Sequence, residues 1–238
     1  MRVLSVFMLL HLFILTSCKD ASCPNEMVEL KKGSKSFCID KYENYIIGYA
    51  KDGKPYRYAP KFESVIKKDG KFFPGNIFDR SQLKDKIYAR AAKGITPTDN
   101  ISWIEAEIAC KNSGKRLCTE EEWNFACSGP KNQNYPYGNE YNEDLCNSFE
   151  YNKKRNQLTI LPSGYLNRCD NGYGVMDLSG NLWEWIDGTD SSKNLKLVKG
   201  GGFSNSGYDE DTLSCKKNRY QPPDVRLSGV GFRCCKDR

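Results

Sequence analysis

The first apolar run of the chain, Val3 to Leu15, follows a single basic residue, Arg2, and ends in Leu-Thr-Ser-Cys at 15–18. That length and those flanks predict an export signal, too short for a spanning helix. Beyond it, short alternating segments predict strands over Glu26 to Lys31 and Ser36 to Asp40 around a Lys-Gly-Ser turn, with Cys23 and Cys38 placed to staple them. From Gly48 to Pro97 the pattern is irregular. Lys-Asp-Gly recurs there at 51–53 and 68–70 beside aromatic residues and predicts two turns between short strands. Two helices are marked by capping boxes: Ser102-Trp-Ile-Glu105 opens one through Cys110, and Thr119-Glu-Glu-Glu122 opens another through Cys127. Gly114 ends the first, and Lys115 to Leu117 is a connector. Each helix carries a cysteine near its end beside apolar partners (Trp103 and Ile108; Trp123 and Ala126), which turns it toward the core. A thiolate is favoured at the opposite end of the helix dipole, so these cysteines suit disulfides better than nucleophilic chemistry. From Asn132 to Tyr173, Asn, Gly, Pro and Tyr crowd the chain and predict a loop-rich half held by cross-links. No linker or internal repeat divides it.

Leu15 to Cys18 is similar to a bacterial lipobox, in which the cysteine is lipidated and becomes the first mature residue. The alternative is ordinary signal cleavage near Ala21, which also discards Cys18. The lipid reading gives a signal over 1–17, a lipidated tether over 18–22 and one domain over 23–238. The chain is then exported and anchored to a bacterial membrane, periplasmic or at the cell surface, with its folded part in water. The cysteine count agrees that Cys18 stands apart. Eleven is odd, and removing Cys18 leaves ten that can all pair: Cys23, Cys38, Cys110, Cys118, Cys127, Cys146, Cys169, Cys215, Cys234 and Cys235. No paired C-x2-C element supports zinc, and exported chains oxidise their thiols.

The one histidine, His11, lies inside the signal. Ser-His-Asp hydrolysis, histidine-dependent zinc proteolysis and facial-triad iron chemistry are therefore excluded from the mature domain. Charged residues make up 28% and the mean hydropathy is −0.67, as in a soluble domain with no second membrane-length segment. The formal charge of +6 includes Arg2, so the mature chain carries about +5. Its lysines are scattered and form no basic stripe, which argues against nucleic acid.

In order along the chain, SWIEAEIACKNSGKRLCTEEEWNFAC from Ser102, NYPYG, GYGVMDLSGNLWEW, VKGGGF and GFRC resemble the formylglycine-generating enzyme, or sulfatase-modifying factor, family. FCIDKYE at 37–43 is similar to the family's opening motif. The resemblance implies an α+β fold, a loop-rich and disulfide-stapled variant of the C-type lectin fold. In that family a C-x4-C pair just after the glycine turn binds copper and oxidises a substrate cysteine to an aldehyde. Here Asn205 and Glu210 stand at those two positions, so copper is not expected, because Cu(I) selects sulfur.

The resemblance also implies disulfides between Cys110 and Cys234 and between Cys127 and Cys215. Cys118 with Cys235, Cys146 with Cys169, and Cys23 with Cys38 would complete five. A structural calcium ion is implied at DLSGNLWEW, held by the side chains of Asp177 and Glu184 and the carbonyls of Gly180 and Leu182; hard oxygen donors at this spacing suit Ca²⁺. The competing account is a plain turn with Trp183 and Trp185 in the core. QPPD at 221–224 reads as a surface turn.

Three functions follow. The reading adopted is a lipid-anchored binding module, with an unidentified protein, peptide or glycan held near Gly200 to Glu210. The second is a formylglycine-generating oxidase, opposed by the missing thiol pair. The third is a divergent maturation enzyme of the same family, working through groups such as Tyr208, Asp209 and Glu210.

Overall fold

The first hairpin forms where the alternation of the sequence places it. β1 (Met27–Lys32) and β2 (Lys35–Asp40) pair antiparallel from Met27↔Asp40 to Lys32↔Lys35. Gly33 turns the chain between them with φ 61°, a conformation that costs a glycine least. The Cys23–Cys38 disulfide closes its base. In this computed structural model residues 22–59, 86–208 and 211–238 are described. The signal, Cys18, the second Lys-Asp-Gly turn, Asp209 and Glu210 lie outside them. The first Lys-Asp-Gly turn joins β3 (Asn44–Tyr49) to β4 (Pro55–Arg57), and β5 (Lys86–Ala91) lines the other edge of β3.

Both capping boxes are made. α1 (Trp103–Asn112) starts at Ser102 and α2 (Glu120–Ser128) at Thr119, each cap hydroxyl accepting from the backbone of the glutamate three residues on. Gly114 (φ 67°) follows α1 and Gly129 (φ 61°) caps α2. The expected connector over Lys115 to Leu117 is corrected in part. Arg116–Leu117 is a two-residue strand, β6, bonded to β11 (Cys234–Asp237) through Leu117↔Cys234 and Arg116↔Cys235. A strand this short has no periodicity to read, and its partner lies at the far end of the chain.

Between α2 and Trp183 the single regular element among the described residues is α3 (Phe149–Lys153), in keeping with the density of turn formers there. β7 (Trp183–Asp190), β8 (Leu195–Lys199), β9 (Arg219–Gln221) and β10 (Val230–Phe232) make a sheet of order β10-β7-β8-β9, with β10 parallel to β7. The sheet β1-β2-β11-β6 joins the two ends of the domain.

One core cluster packs α1 against Trp185, Val198 and Phe232; the other packs α2 against Leu178, Ile186 and Leu197. Disulfides join Cys110 to Cys234, Cys118 to Cys235, Cys127 to Cys215 and Cys146 to Cys169. The adjacent Cys234 and Cys235 thus reach opposite neighbours, one into each core cluster. The stretch between α2 and Trp183 has α3 as its one regular element among the described residues, and the Cys146–Cys169 bridge inside it adds a stabilisation of the typical size, about 2–4 kcal/mol.

Candidate functional site

The glycine turn leaves β8 at Lys199, where Glu184↔Lys199 pairing with β7 ends. Gly200 and Gly201 have φ 94° and 72°. A Cβ on Gly201 would lie 2.4 Å from Leu213 Cδ2 and 2.9 Å from the Thr212 carbonyl, so both conformation and space demand glycine there. The Gly200 carbonyl accepts from Gly180 N at 2.8 Å, and Phe203 N donates to the Asn181 carbonyl at 2.9 Å. Two backbone bonds therefore clamp this turn to the DLSGN turn.

Asn205, at the first catalytic-cysteine position implied by the resemblance, closes the turn on itself. Its Oδ1 accepts from Trp183 Nε1 at 2.8 Å and from Gly202 N at 3.0 Å, while its backbone N–H donates to the Gly202 carbonyl at 2.9 Å. Its carbonyl accepts from Phe149 N at the start of α3. Next to it lies a polar network that motif reading did not single out. Glu150 accepts from Tyr141 Oη at 2.7 Å, from Gly207 N at 3.1 Å and from the Ser206 hydroxyl. Burial raises the Glu150 carboxyl, but these donors outweigh it and hold it below the usual range. Burial and the Glu150 charge push the Tyr141 hydroxyl up. Gly207 lies flat beneath the Tyr141 ring, where a Cβ would fall 2.0 Å from it. Tyr208 meets that ring edge-on at 5.1 Å and is 70% exposed. The result, among the described residues, is an aromatic and hydroxylated surface with no thiol or imidazole.

The DLSGNLWEW turn packs beneath. Asp177, Gly180 and Asn181 all have φ between 58° and 77°. A Cβ on Gly180 would lie 2.4 Å from the Asn147 carbonyl. Asn181 cross-braces three segments, accepting from Asn147 Nδ2 and Leu161 N and donating to Glu43 and the Leu161 carbonyl.

Of the four donors expected to hold calcium, Asp177 is buried and accepts from Gly164 N at 2.6 Å. Glu184 is engaged otherwise: Arg233 Nε bonds both its oxygens at 2.9 and 2.7 Å, Arg233 Nη2 bonds one at 2.6 Å, and Trp123 Nε1 bonds the other at 2.8 Å. Three N–H donors, with the Arg233 Nε–H shared between the two oxygens, take most of the carboxylate's four lone-pair sites, so in this geometry Glu184 has little left to offer a metal. The charge balance points the other way. Glu43, Asp177 and Glu184 are buried with Arg233, three carboxyls to one guanidinium. Burial, followed by the Asp177 and Glu184 charges, drives the Glu43 carboxyl up, and burial takes Asp177 to about 7. Two uncompensated buried charges call for protons or a cation.

The signals for Glu43 and Arg233 were present in FCIDKYE and GFRC, but the sequence does not say that the two motifs meet. QPPD forms a turn, with Val225 N donating to the Pro222 carbonyl.

Comparison with known proteins agrees with this architecture. A 148-residue stretch is 30% identical to the mouse inactive C-alpha-formylglycine-generating enzyme 2, covering 58% of this chain and 48% of that protein. A 167-residue stretch is 28% identical to the mouse formylglycine-generating enzyme, covering 59% and 44%. The chain thus spans about half the length of the curated relatives it matches. Among solved structures, PvdO from Pseudomonas aeruginosa superposes with a TM-score of 0.53 at 16% identity, over 92% of this chain and all of that one; this likeness shows the fold, a C-type lectin-like α+β architecture. The family model described as a sulfatase-modifying factor enzyme 1-like domain matches residues 34–238, and the chain belongs to that family.

Proposed function

We propose that this chain is an exported, lipid-anchored binding module that keeps the formylglycine-generating scaffold without its copper oxidation. The observation that carries the reading is Asn205. At the position where the resemblance implies a thiol, its Oδ1 is a turn-closing acceptor for Trp183 and Gly202. Every cysteine among the described residues is in a disulfide, which leaves no thiolate there for Cu(I). The relative whose name calls it inactive supports the same direction for this chain. The surface offered to a ligand is the Tyr141–Tyr208 face beside the turn, suited by its aromatic rings and hydroxyls to a protein, peptide or glycan.

Export is supported by five disulfides in one domain, and anchoring by the lipobox-like Leu15 to Cys18. Calcium at Asp177, with the Gly180 and Leu182 carbonyls, is supported by the excess buried negative charge. Glu184, already held by Arg233 and Trp123, would join that set through its remaining lone pair or by loosening the shared Arg233 Nε bond.

The test is to add copper and a cysteine-containing sulfatase peptide to the oxidised full-length protein and follow the peptide by mass spectrometry. The expected result is an unchanged cysteine. Conversion to the aldehyde would overturn the reading in favour of an oxidase.

A further inference from the structure

Between Glu150 and Asp170 the chain carries four cations, Lys153, Lys154, Arg155 and Arg168, and no carboxylate. Two of the three most exposed large apolar side chains among the described residues stand in this stretch, Leu158 at 58% and Tyr165 at 64%. Lys154 is taken up by Glu143 and Asp144. Arg168 has no carboxylate partner among the described residues.

The Tyr165 end of the stretch is tied to the start of the domain. Gly164 packs against Tyr42 and Lys93 so closely that a Cβ there would lie 2.7 Å from the Tyr42 ring and 3.3 Å from Lys93 Cγ. Beside Tyr42, Lys41 donates its Nζ to the Asn25 carbonyl at 2.8 Å and its backbone N–H to the Glu26 carbonyl at 3.0 Å. Gly164, the residue before Tyr165, therefore packs against Tyr42, whose neighbour Lys41 is bonded to the segment that leads back through Cys23. Five links from Cys18 to Cys23 extend at most about 18 Å, so a lipid on Cys18 would hold this side of the domain against the headgroups.

We propose that the exposed Tyr165 side of the domain, with Lys41 and Lys93 beside Gly164 and the exposed Arg168 three residues on, seats on an anionic phospholipid bilayer. The proposal rests on the anchoring reading, which supplies the nearness, and adds a direct contact between domain and lipid. A tyrosine ring presents apolar area to the acyl boundary and its hydroxyl to water. Each cation near an anionic surface favours binding by roughly fivefold, with the attraction falling away within a Debye length.

The test uses the protein as a bacterial host exports and processes it, on vesicles of phosphatidylcholine alone and of phosphatidylcholine with phosphatidylglycerol, read by flotation and by amide hydrogen exchange. The expected result is flotation with both, with exchange at 158–168 slowed on the anionic vesicles. Lys93→Gln combined with Arg168→Gln should abolish that difference, as should high salt, while Tyr165→Ser weakens it. Flotation with both vesicles and identical exchange at 158–168 would overturn the docking face and leave the anchor standing. Flotation on anionic vesicles only, with the same protection, would support the face and remove the anchor. Flotation with neither would end both.

Discussion

Replacing Asn205 by alanine removes the acceptor that closes the glycine turn. Two hydrogen bonds are lost, from Trp183 Nε1 and Gly202 N, each worth about 0.5–1.5 kcal/mol net. Trp183 is 5% exposed, so its indole N–H is left without water as well, which adds about 1–3 kcal/mol of desolvation cost at the upper end. The expected loss is about 2–4 kcal/mol, or roughly 5–15 °C in Tm for a domain of this size. Asn205→Asp keeps an oxygen in the same place and should lose less than about 1 kcal/mol. Urea unfolding of the oxidised protein, followed by tryptophan fluorescence, measures both, with an unchanged m-value confirming that only stability moved. If alanine costs under about 0.5 kcal/mol, or aspartate costs as much as alanine, the Asn205 side chain does not close the turn.

Other expectations are simpler to state. Lys199 is buried, and burial lowers its ammonium to about 8. The unfolded chain then holds the extra proton between about pH 8 and the ordinary lysine value, so stability rises with pH through that window; Lys199→Met, which also gives up the bond to Asn218, worth about 0.5–1.5 kcal/mol net, should flatten the rise. A steeper slope in the variant would contradict this. Arg233→Met leaves Glu184 buried without its partner and should cost about 3–5 kcal/mol, seen as loss of soluble, cooperatively melting protein; a near-normal melt would mean that the buried acids are neutralised in another way. Calcium at about a hundredfold over its Kd should stabilise by about 2.7 kcal/mol and chelation should reverse it, whereas an unchanged melt leaves Arg233 as the sole counterion. The oxidised chain should take up no Cu(I) in competition with bicinchoninate; stoichiometric uptake would reveal a free thiol.

Local chemistry was legible because its causes are local. The capping boxes at Ser102 and Thr119 and the hairpin at Gly33 are decided by residues within a few positions of one another, so the elements begin where those residues stand. The ordered motifs implied the family, and the same resemblance sets Asn205 and Glu210 where that family carries its thiol pair. Tertiary structure decided the rest. β6 exists because β11 returns to it, and a two-residue strand has no pattern of its own. Asn205 reads in sequence as an absent thiol, and only the fold makes it the acceptor for Trp183. Glu43, Asp177, Glu184 and Arg233 come from three separate motifs, and their mutual burial, which raises the Glu43 and Asp177 carboxyls, is a property of packing that no single motif contains.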